Sequence, residues 1–152
     1  MSKSLPRGKR VVGGTYAPKN SHPWLVRLTI RNKSDAPGVG IRCSGSIIDN
    51  EWILTAAHCC DDAYSITINV GEHDATNHSE TGEFFVYSLK IITLENFERN
   101  GATGNDLCMI KVSDLSGRAP ASCNDLNCFA PICLPEKNFN HGDACFQDSE
   151  IS

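Results

Sequence analysis

The stretch Leu54-Thr55-Ala56-Ala57-His58-Cys59 is the part of this chain from which the rest can be interpreted. It continues an apolar run that begins at Trp52, and it presents one histidine after two small alanines. A histidine titrates near neutral pH and acts well as a general base when its ring is held in one orientation. Small residues before it leave room for a substrate, and a disulfide at Cys59 would hold the turn. These residues alone leave a catalytic histidine and a structural turn equally open.

The chain around this stretch is patterned as short strands separated by turns, with no helix longer than a turn or two. Residues 65–70 alternate polar and apolar side chains, which is the period of a half-buried strand. Six short strands at regular spacing predict an all-β fold in which a single six-stranded antiparallel barrel closes on itself. The predicted strands are residues 24–30, 41–48, 52–55, 65–70, 84–94 and 107–112.

Length and composition restrict the class of protein. A chain of 152 residues with 40% hydrophobic and 21% charged residues is long enough for one domain with a good core. The net charge of −4 argues against nucleic acid as a partner, and no apolar run is long enough to predict a membrane span. Eight cysteines in so short a chain predict an extracellular, oxidising location. Residues 1–10 lack the apolar core of a secretory signal peptide, which conflicts with that prediction.

Four segments in this order resemble motifs of the trypsin-like (chymotrypsin-fold, S1 family) serine proteases. They are Arg10-Val11-Val12-Gly13-Gly14, Cys43-Ser44-Gly45-Ser46-Ile47-Ile48, the histidine stretch quoted above, and Asn105-Asp106-Leu107-Cys108-Met109-Ile110-Lys111-Val112. The resemblance continues through Ile132-Cys133-Leu134-Pro135 to Phe146 and then stops. It implies that the barrel has Greek-key topology and is the first of the family's two barrels, with the second barrel missing from this chain.

The resemblance also assigns roles to two residues. His58 would be the general base, and a buried Asp106 would hold the tautomer of its ring. The competing interpretation of Asp106 is an exposed turn aspartate after Gly104 and Asn105. The family's nucleophilic serine lies in a Gly-Asp-Ser-Gly-Gly segment, and these 152 residues contain no such segment. We therefore expect this polypeptide to lack the nucleophile, the oxyanion hole and the specificity pocket, and to be inactive by itself.

The resemblance divides the chain into three parts. Residues 1–10 form a short basic pro-segment, residues 11–146 a truncated peptidase domain, and residues 147–152 a divergent tail. An activating protease would cut between Arg10 and Val11. The first ten residues carry four basic side chains and no acid, a pattern that nuclear localisation signals share.

The cysteines can be sorted by position. The first pair matches the family bridge that closes the histidine loop. The second pair lies beside His58 and Asp106, so a bridge there would tie the two catalytic strands together. The third pair is close enough in sequence for a local loop. The expected bridges are Cys43–Cys59, Cys60–Cys108 and Cys123–Cys128. Cys133 and Cys145 match cysteines whose usual partners lie outside this chain. A zinc site at His58 with the adjacent cysteines is the competing interpretation, although adjacent cysteines lack the Cys-x-x-Cys spacing that suits tetrahedral coordination.

An acidic loop is the remaining candidate site. Glu72, Glu80 and Glu83, with loop carbonyls near Asp74 and Asn77, resemble the calcium loop of some trypsins. Carboxylate oxygens suit a hard cation, while a solvated acidic loop explains the same residues without a metal. The family chemistry requires no other cofactor.

Two functions from different classes follow. The first is a serine-type endopeptidase that acts on proteins or peptides and draws its histidine and aspartate from this chain. The second is a non-catalytic protease homologue that binds a protein through the barrel face left exposed by the missing half. The same uncovered face predicts self-association.

Overall fold

A computed structural model of the chain describes residues 18, 20–33, 36, 39–72, 82–97, 104–118 and 129–135. Several predictions fall on other residues and lie outside this described part. They concern the pro-segment, the cleavage site at Arg10 and Val11, Glu80, the Cys123–Cys128 bridge, Cys145 and the tail.

The described structure is one antiparallel sheet with a single turn of helix. The elements are β1 (Leu25–Asn32), β2 (Ile41–Asp49), β3 (Trp52–Thr55), α1 (Ala57–Cys60), β4 (Ala63–Val70), β5 (Phe84–Tyr87), β6 (Lys90–Thr93) and β7 (Cys108–Lys111). The strand order across the sheet is β5-β4-β1-β2-β3-β7-β6, and every neighbouring pair is antiparallel. The predicted all-β, antiparallel fold is confirmed.

The sheet curls until its two edge strands are separated by only two residues of chain. The Ser88 N–H donates to the Ile66 carbonyl of β4 at 2.9 Å, and the next residue, Leu89, donates to the Lys111 carbonyl of β7 at 2.8 Å. The single strand predicted over 84–94 is therefore two strands, because the chain leaves β4 and pairs with β7 at this point. Seven strands replace the predicted six for this reason alone.

The core follows from the alternation of side chains along the strands. In β1, every second residue is fully buried, and the same period recurs in β4, where an apolar face packs against it. Each such aliphatic side chain contributes about 1.5–3 kcal/mol through its removal from water. The fully buried aliphatic residues are Val26, Leu28, Ile30, Ile47, Ile53, Ile66, Ile68, Val70, Ile110, Val112 and Leu115.

One glycine allows β3 to lie close beside β2. A Cβ atom at Gly45 would lie 2.9 Å from Ile53 Cγ2 and 3.1 Å from the Leu54 carbonyl oxygen, so a larger residue would push the strands apart. The Thr55 hydroxyl donates to the Ser44 carbonyl at 2.8 Å and fixes the end of β3 on β2. The turn that carries His58 starts from this fixed point.

The segment 129–135 crosses the barrel instead of extending away from it. The Ile132 N–H donates to the Ile47 carbonyl at 2.8 Å, and the Phe129 ring packs edge-on against Phe84 with the ring centroids 5.3 Å apart. Cys133 is exposed and is not in a disulfide. The described residues contain no helix with the length and hydropathy that crossing a membrane requires.

Candidate active site

Two strand ends place the candidate catalytic residues side by side. The pair Thr55–Cys108 is the last one in the β3–β7 ladder, and Cys108 is also the last paired residue between β7 and β6. His58 is the third residue after Thr55, and Asp106 is the second before Cys108. Both side chains therefore lie on the same rim of the barrel, immediately beyond the sheet.

The short helix α1 turns His58 away from the core. Ala57, Cys59 and Cys60 are buried, so the one remaining residue of this turn projects outward. The helix has no side-chain cap at Ala56, and one turn is too short to be stable by itself. The contacts made by its buried residues must therefore hold it in place.

Asp106 approaches the histidine from a strained turn. Gly104 and Asn105 have positive φ angles of 91° and 59°, a region that glycine and asparagine tolerate best. The Asn105 amide donates to the Asn96 carbonyl at 3.3 Å, and the Leu94 N–H donates to the Leu107 carbonyl at 2.9 Å. These contacts fix the backbone on both sides of Asp106.

The carboxylate of Asp106 binds both the backbone and the ring of His58. The His58 backbone N–H donates to Oδ1 at 2.9 Å, and the ring atom Nδ1 lies 2.8 Å from Oδ2. Because an ionised carboxylate only accepts hydrogen bonds, Nδ1 carries the proton. In a neutral ring of this tautomer, Nε2 keeps its lone pair, which is the form of imidazole that can accept a proton from a nucleophile.

These contacts also set the charge of the aspartate. The backbone hydrogen bond from His58, followed by the one from its ring, lowers the pKa of Asp106 below its ordinary value of 3.8. The side chains of His58 and Asp106 are 63% and 45% exposed, so the buried environment predicted for Asp106 is wrong for the described structure. The reason is its place beyond the last strand pair, where the described residues leave the rim open.

Two disulfides flank the pair, with the pairings that the sequence predicts. Cys43–Cys59 joins β2 to α1, and Cys60–Cys108 joins α1 to the start of β7. Cys43, His58 and Cys59 place potential metal-ligand atoms within 4.8 Å of one another. Among the described residues, the sulfur atoms beside His58 are oxidised in these bridges and offer no thiolate, so the zinc interpretation is not supported.

Comparison with known proteins identifies the family of this chain. A sequence model described as "Trypsin" matches residues 11–147. The chain belongs to the trypsin family. This likeness spans both disulfides and every described strand.

Individual relatives agree with the family assignment. Ovochymase-2 of Mus musculus is 32% identical over 142 residues, which are 90% of this chain and 21% of the relative. Kallikrein 1-related peptidase b8 of Mus musculus is 30% identical over 147 residues, or 92% of this chain and 51% of the relative. The solved structure of HL collagenase is 28% identical, with a TM-score of 0.65 over 84% of this chain and 48% of its own. The chain spans about half the length of such trypsin-family relatives, or less.

The predicted calcium ligands fall at a second charged cluster. Glu72 is buried, and its Oε2 accepts from the Asn69 amide and from the Arg27 guanidinium, the latter at 2.8 Å. Glu83 Oε2 accepts from the same Asn69 amide at 3.1 Å. The structure thus brings two of the three predicted glutamates to one amide, and it adds a protein cation that the sequence did not reveal.

A calcium ion partly fits this cluster. Asn69 Oδ1 is buried without a hydrogen-bond partner, and an amide oxygen beside two carboxylates is a donor set that calcium accepts. Against this, Arg27 already supplies a positive charge at Glu72. Glu72 is therefore held by its ion pair with Arg27, and this contact does not require a metal ion.

Proposed function

We propose that this chain supplies the general base and the orienting residue of a trypsin-family serine endopeptidase whose substrates are proteins or peptides. The observation that carries the proposal is the two-point contact of Asp106 with the backbone and Nδ1 of His58. An accidental surface pair would need only one of these contacts. Two of them fix the ring's position and its tautomer together, which general-base catalysis requires.

The chemistry follows from that tautomer. Nε2 of His58 takes the proton of a serine hydroxyl as its oxygen attacks the scissile carbonyl, and the resulting imidazolium is stabilised by Asp106. The same Nε2 then returns the proton to the leaving amine. We propose that the serine, the oxyanion hole and the specificity pocket come from outside these 152 residues. By itself, this polypeptide would then bind no peptide ester productively and would turn none over.

Activation and location belong to the same proposal. Cleavage between Arg10 and Val11 would free a new amino terminus, as the sequence motif predicts. The two disulfides at the rim support an oxidising, extracellular environment.

Calcium at Glu72 and Glu83, with Glu80, is a further proposal, and a rise in thermal midpoint on adding calcium would support it.

A chimera tests the catalytic proposal. Residues 1–146 are joined to the part of mouse Kallikrein 1-related peptidase b8 that this chain does not cover, and trypsin is used to cut after Arg10. The activated chimera should hydrolyse peptide esters, and His58→Ala should reduce kcat/KM by about 10⁴-fold or more. His22→Ala, a change at another histidine, is the matched control and should leave the rate unchanged.

The outcome that would contradict the proposal is equally specific. A chimera that unfolds cooperatively and is cut after Arg10, but whose rate does not change on His58→Ala, would show that His58 is not the base. Labelling of the 152-residue polypeptide by a serine-directed phosphonate would show that it has a nucleophile of its own.

The exposed apolar side chains of the described residues suggest protein binding as a second candidate function. Large apolar side chains exposed together commonly mark an interface. Those exposed in the described part are Val39, Ile41, Tyr64, Phe85, Tyr87, Leu89, Ile92, Leu94, Leu107 and Leu134. We propose that part of this surface is covered by a second barrel in the endopeptidase, or by a second copy if the 152-residue polypeptide stands alone. Sedimentation of that polypeptide should show concentration-dependent association. A monomer that binds no hydrophobic dye would argue against this proposal.

A further inference from the structure

Little regular secondary structure holds the His58–Asp106 pair itself. His58 lies on a helix of four residues, and Asp106 lies outside every strand ladder. Both side chains are exposed, so core packing does not fix them either. The hydrogen bonds beside Asp106 and the buried residues of α1 hold each segment separately. Because one geometry of an exposed pair costs conformational freedom, a contact that joins the two segments should restrict it further.

The Cys60–Cys108 disulfide provides that restriction. Cys60 is two residues after His58, and Cys108 is two residues after Asp106. The two short segments are therefore closed into a small ring, with the disulfide at one side and the two His58–Asp106 hydrogen bonds at the other. Both cysteines are buried, so this side of the ring is anchored in the core.

The other disulfide of the described part has a different geometry. Cys43–Cys59 ties α1 to β2 and does not reach the segment that carries Asp106. It can fix the helix, but it cannot fix the distance between the helix and the aspartate. Of these two bridges, Cys60–Cys108 alone joins both segments of the site.

We propose that Cys60 and Cys108 are positioning residues whose disulfide sets the His58–Asp106 geometry. This inference rests on the proposed general-base role of His58. It predicts that removing this bridge loosens the pair even in a molecule that is otherwise folded. Removing Cys43–Cys59 should weaken the fold but leave the pair intact, since the ring is still closed.

The test compares two double variants of the whole chain, Cys60→Ala/Cys108→Ala and Cys43→Ala/Cys59→Ala, well below their thermal midpoints. Imidazole ¹⁵N shifts report which ring nitrogen of His58 carries the proton, and the carboxyl ¹³C shift reports the titration of Asp106. In the first variant, the single Nδ1–H tautomer should be lost and the pKa of Asp106 should rise towards its ordinary value. In the second variant, both signals should match the parent chain.

Two results would overturn the inference. One is an unchanged tautomer and an unchanged Asp106 titration in a folded Cys60→Ala/Cys108→Ala variant, which is what a purely stabilising bridge predicts. The other is an equal loss of both signals in the two variants. If the first variant does not fold, Cys60→Val/Cys108→Ala, which refills the space, takes its place.

The readout also separates this inference from the proposed function. Hydrogen bonding is measured here and hydrolysis in the chimera. An inactive chimera beside a tautomer that depends on the bridge would reject the endopeptidase and retain the positioning role. An active chimera whose tautomer is independent of the bridge would do the reverse.

Discussion

Two carboxylate pairs in this barrel, one with an arginine and one with a histidine, show how a buried and an exposed contact differ. Arg27 and Glu72 meet at 2.8 Å with side chains only 14% and 3% exposed. His58 and Asp106 meet at the same distance on an open rim. The Arg27–Glu72 pair is buried, so neither charge is accessible to a reactant, and each charge is stabilised by the other. The second leaves Nε2 of the histidine accessible, and it therefore can do chemistry while contributing little to stability.

Breaking the buried pair should have the largest effect on stability. Arg27→Met leaves the Glu72 carboxylate without its guanidinium in a buried position, and the free energy of unfolding should fall by about 3–5 kcal/mol. Denaturant unfolding at neutral pH measures this change. The His58–Asp106 geometry, monitored by the tautomer of His58, should be retained while the protein remains folded.

A matched variant isolates the cause of that loss. Arg27→Met/Glu72→Gln removes both charges and keeps an acceptor for the Asn69 amide, so it should recover much of the lost stability. If the single and double variants are equally destabilised, the guanidinium acts through its packing and not through the charge of Glu72.

The two disulfides beside the His58–Asp106 pair should have the next largest effect on the free energy of unfolding. Removing either bridge should cost about 2–4 kcal/mol. The Cys60–Cys108 bridge should contribute more than Cys43–Cys59, because it spans 48 residues of sequence against 16 and so restricts the unfolded chain more. Thermal and denaturant midpoints of the two double-alanine variants decide the order, and the reverse order would indicate that native-state contacts outweigh chain entropy.

Lowering the pH should reduce the free energy of unfolding by a smaller amount, through one carboxylate at the rim and one in a turn. Hydrogen bonds from His58 lower the pKa of Asp106, and those from the Ser116 hydroxyl and N–H lower the pKa of Asp114. Carboxylates with lowered pKa values stabilise the fold above their ordinary value of 3.8 and lose that contribution as the pH falls through their folded values. Stability should therefore be level from pH 7 to about pH 5 on their account and should fall at lower pH.

Variants test that assignment. Asp106→Asn and Asp114→Asn should each flatten the acid limb of the stability profile slightly. An acid limb that neither substitution alters would assign the loss to other carboxylates, such as Glu72.

The sequence predicts the barrel well because its evidence is local. Alternation at residues 65–70 appears in the structure as the inward face of β4, and the apolar run at Trp52 appears as β3. The break between β5 and β6 was missed because it depends on which strands lie at the two edges of the curled sheet. No pattern within residues 84–94 reports that change of partner.

The two residues of the candidate site could be predicted from the sequence, but their exposure could not. The resemblance to the family's motifs predicts His58 and Asp106, whereas the exposure of Asp106 depends on what covers the rim. Arg27 was missed because its pairing requires the β1–β4 register, which sets it opposite Asn69, next to Glu72. An arginine at an outward position of a strand was the available signal, and alone it indicates only a solvated side chain.

The described barrel by itself should hold the ring of His58 in one tautomer through Asp106. The most direct test is the imidazole ¹⁵N spectrum of the 152-residue chain at a pH where His58 is neutral, compared with Asp106→Asn. Asp106→Asn should hardly change the thermal midpoint, since the replaced carboxylate is exposed. The parent should show a protonated Nδ1 and an unprotonated Nε2, and the variant should lose that preference. A folded parent with no Nδ1–H preference, or a variant that keeps it, would show that Asp106 does not set the tautomer of His58.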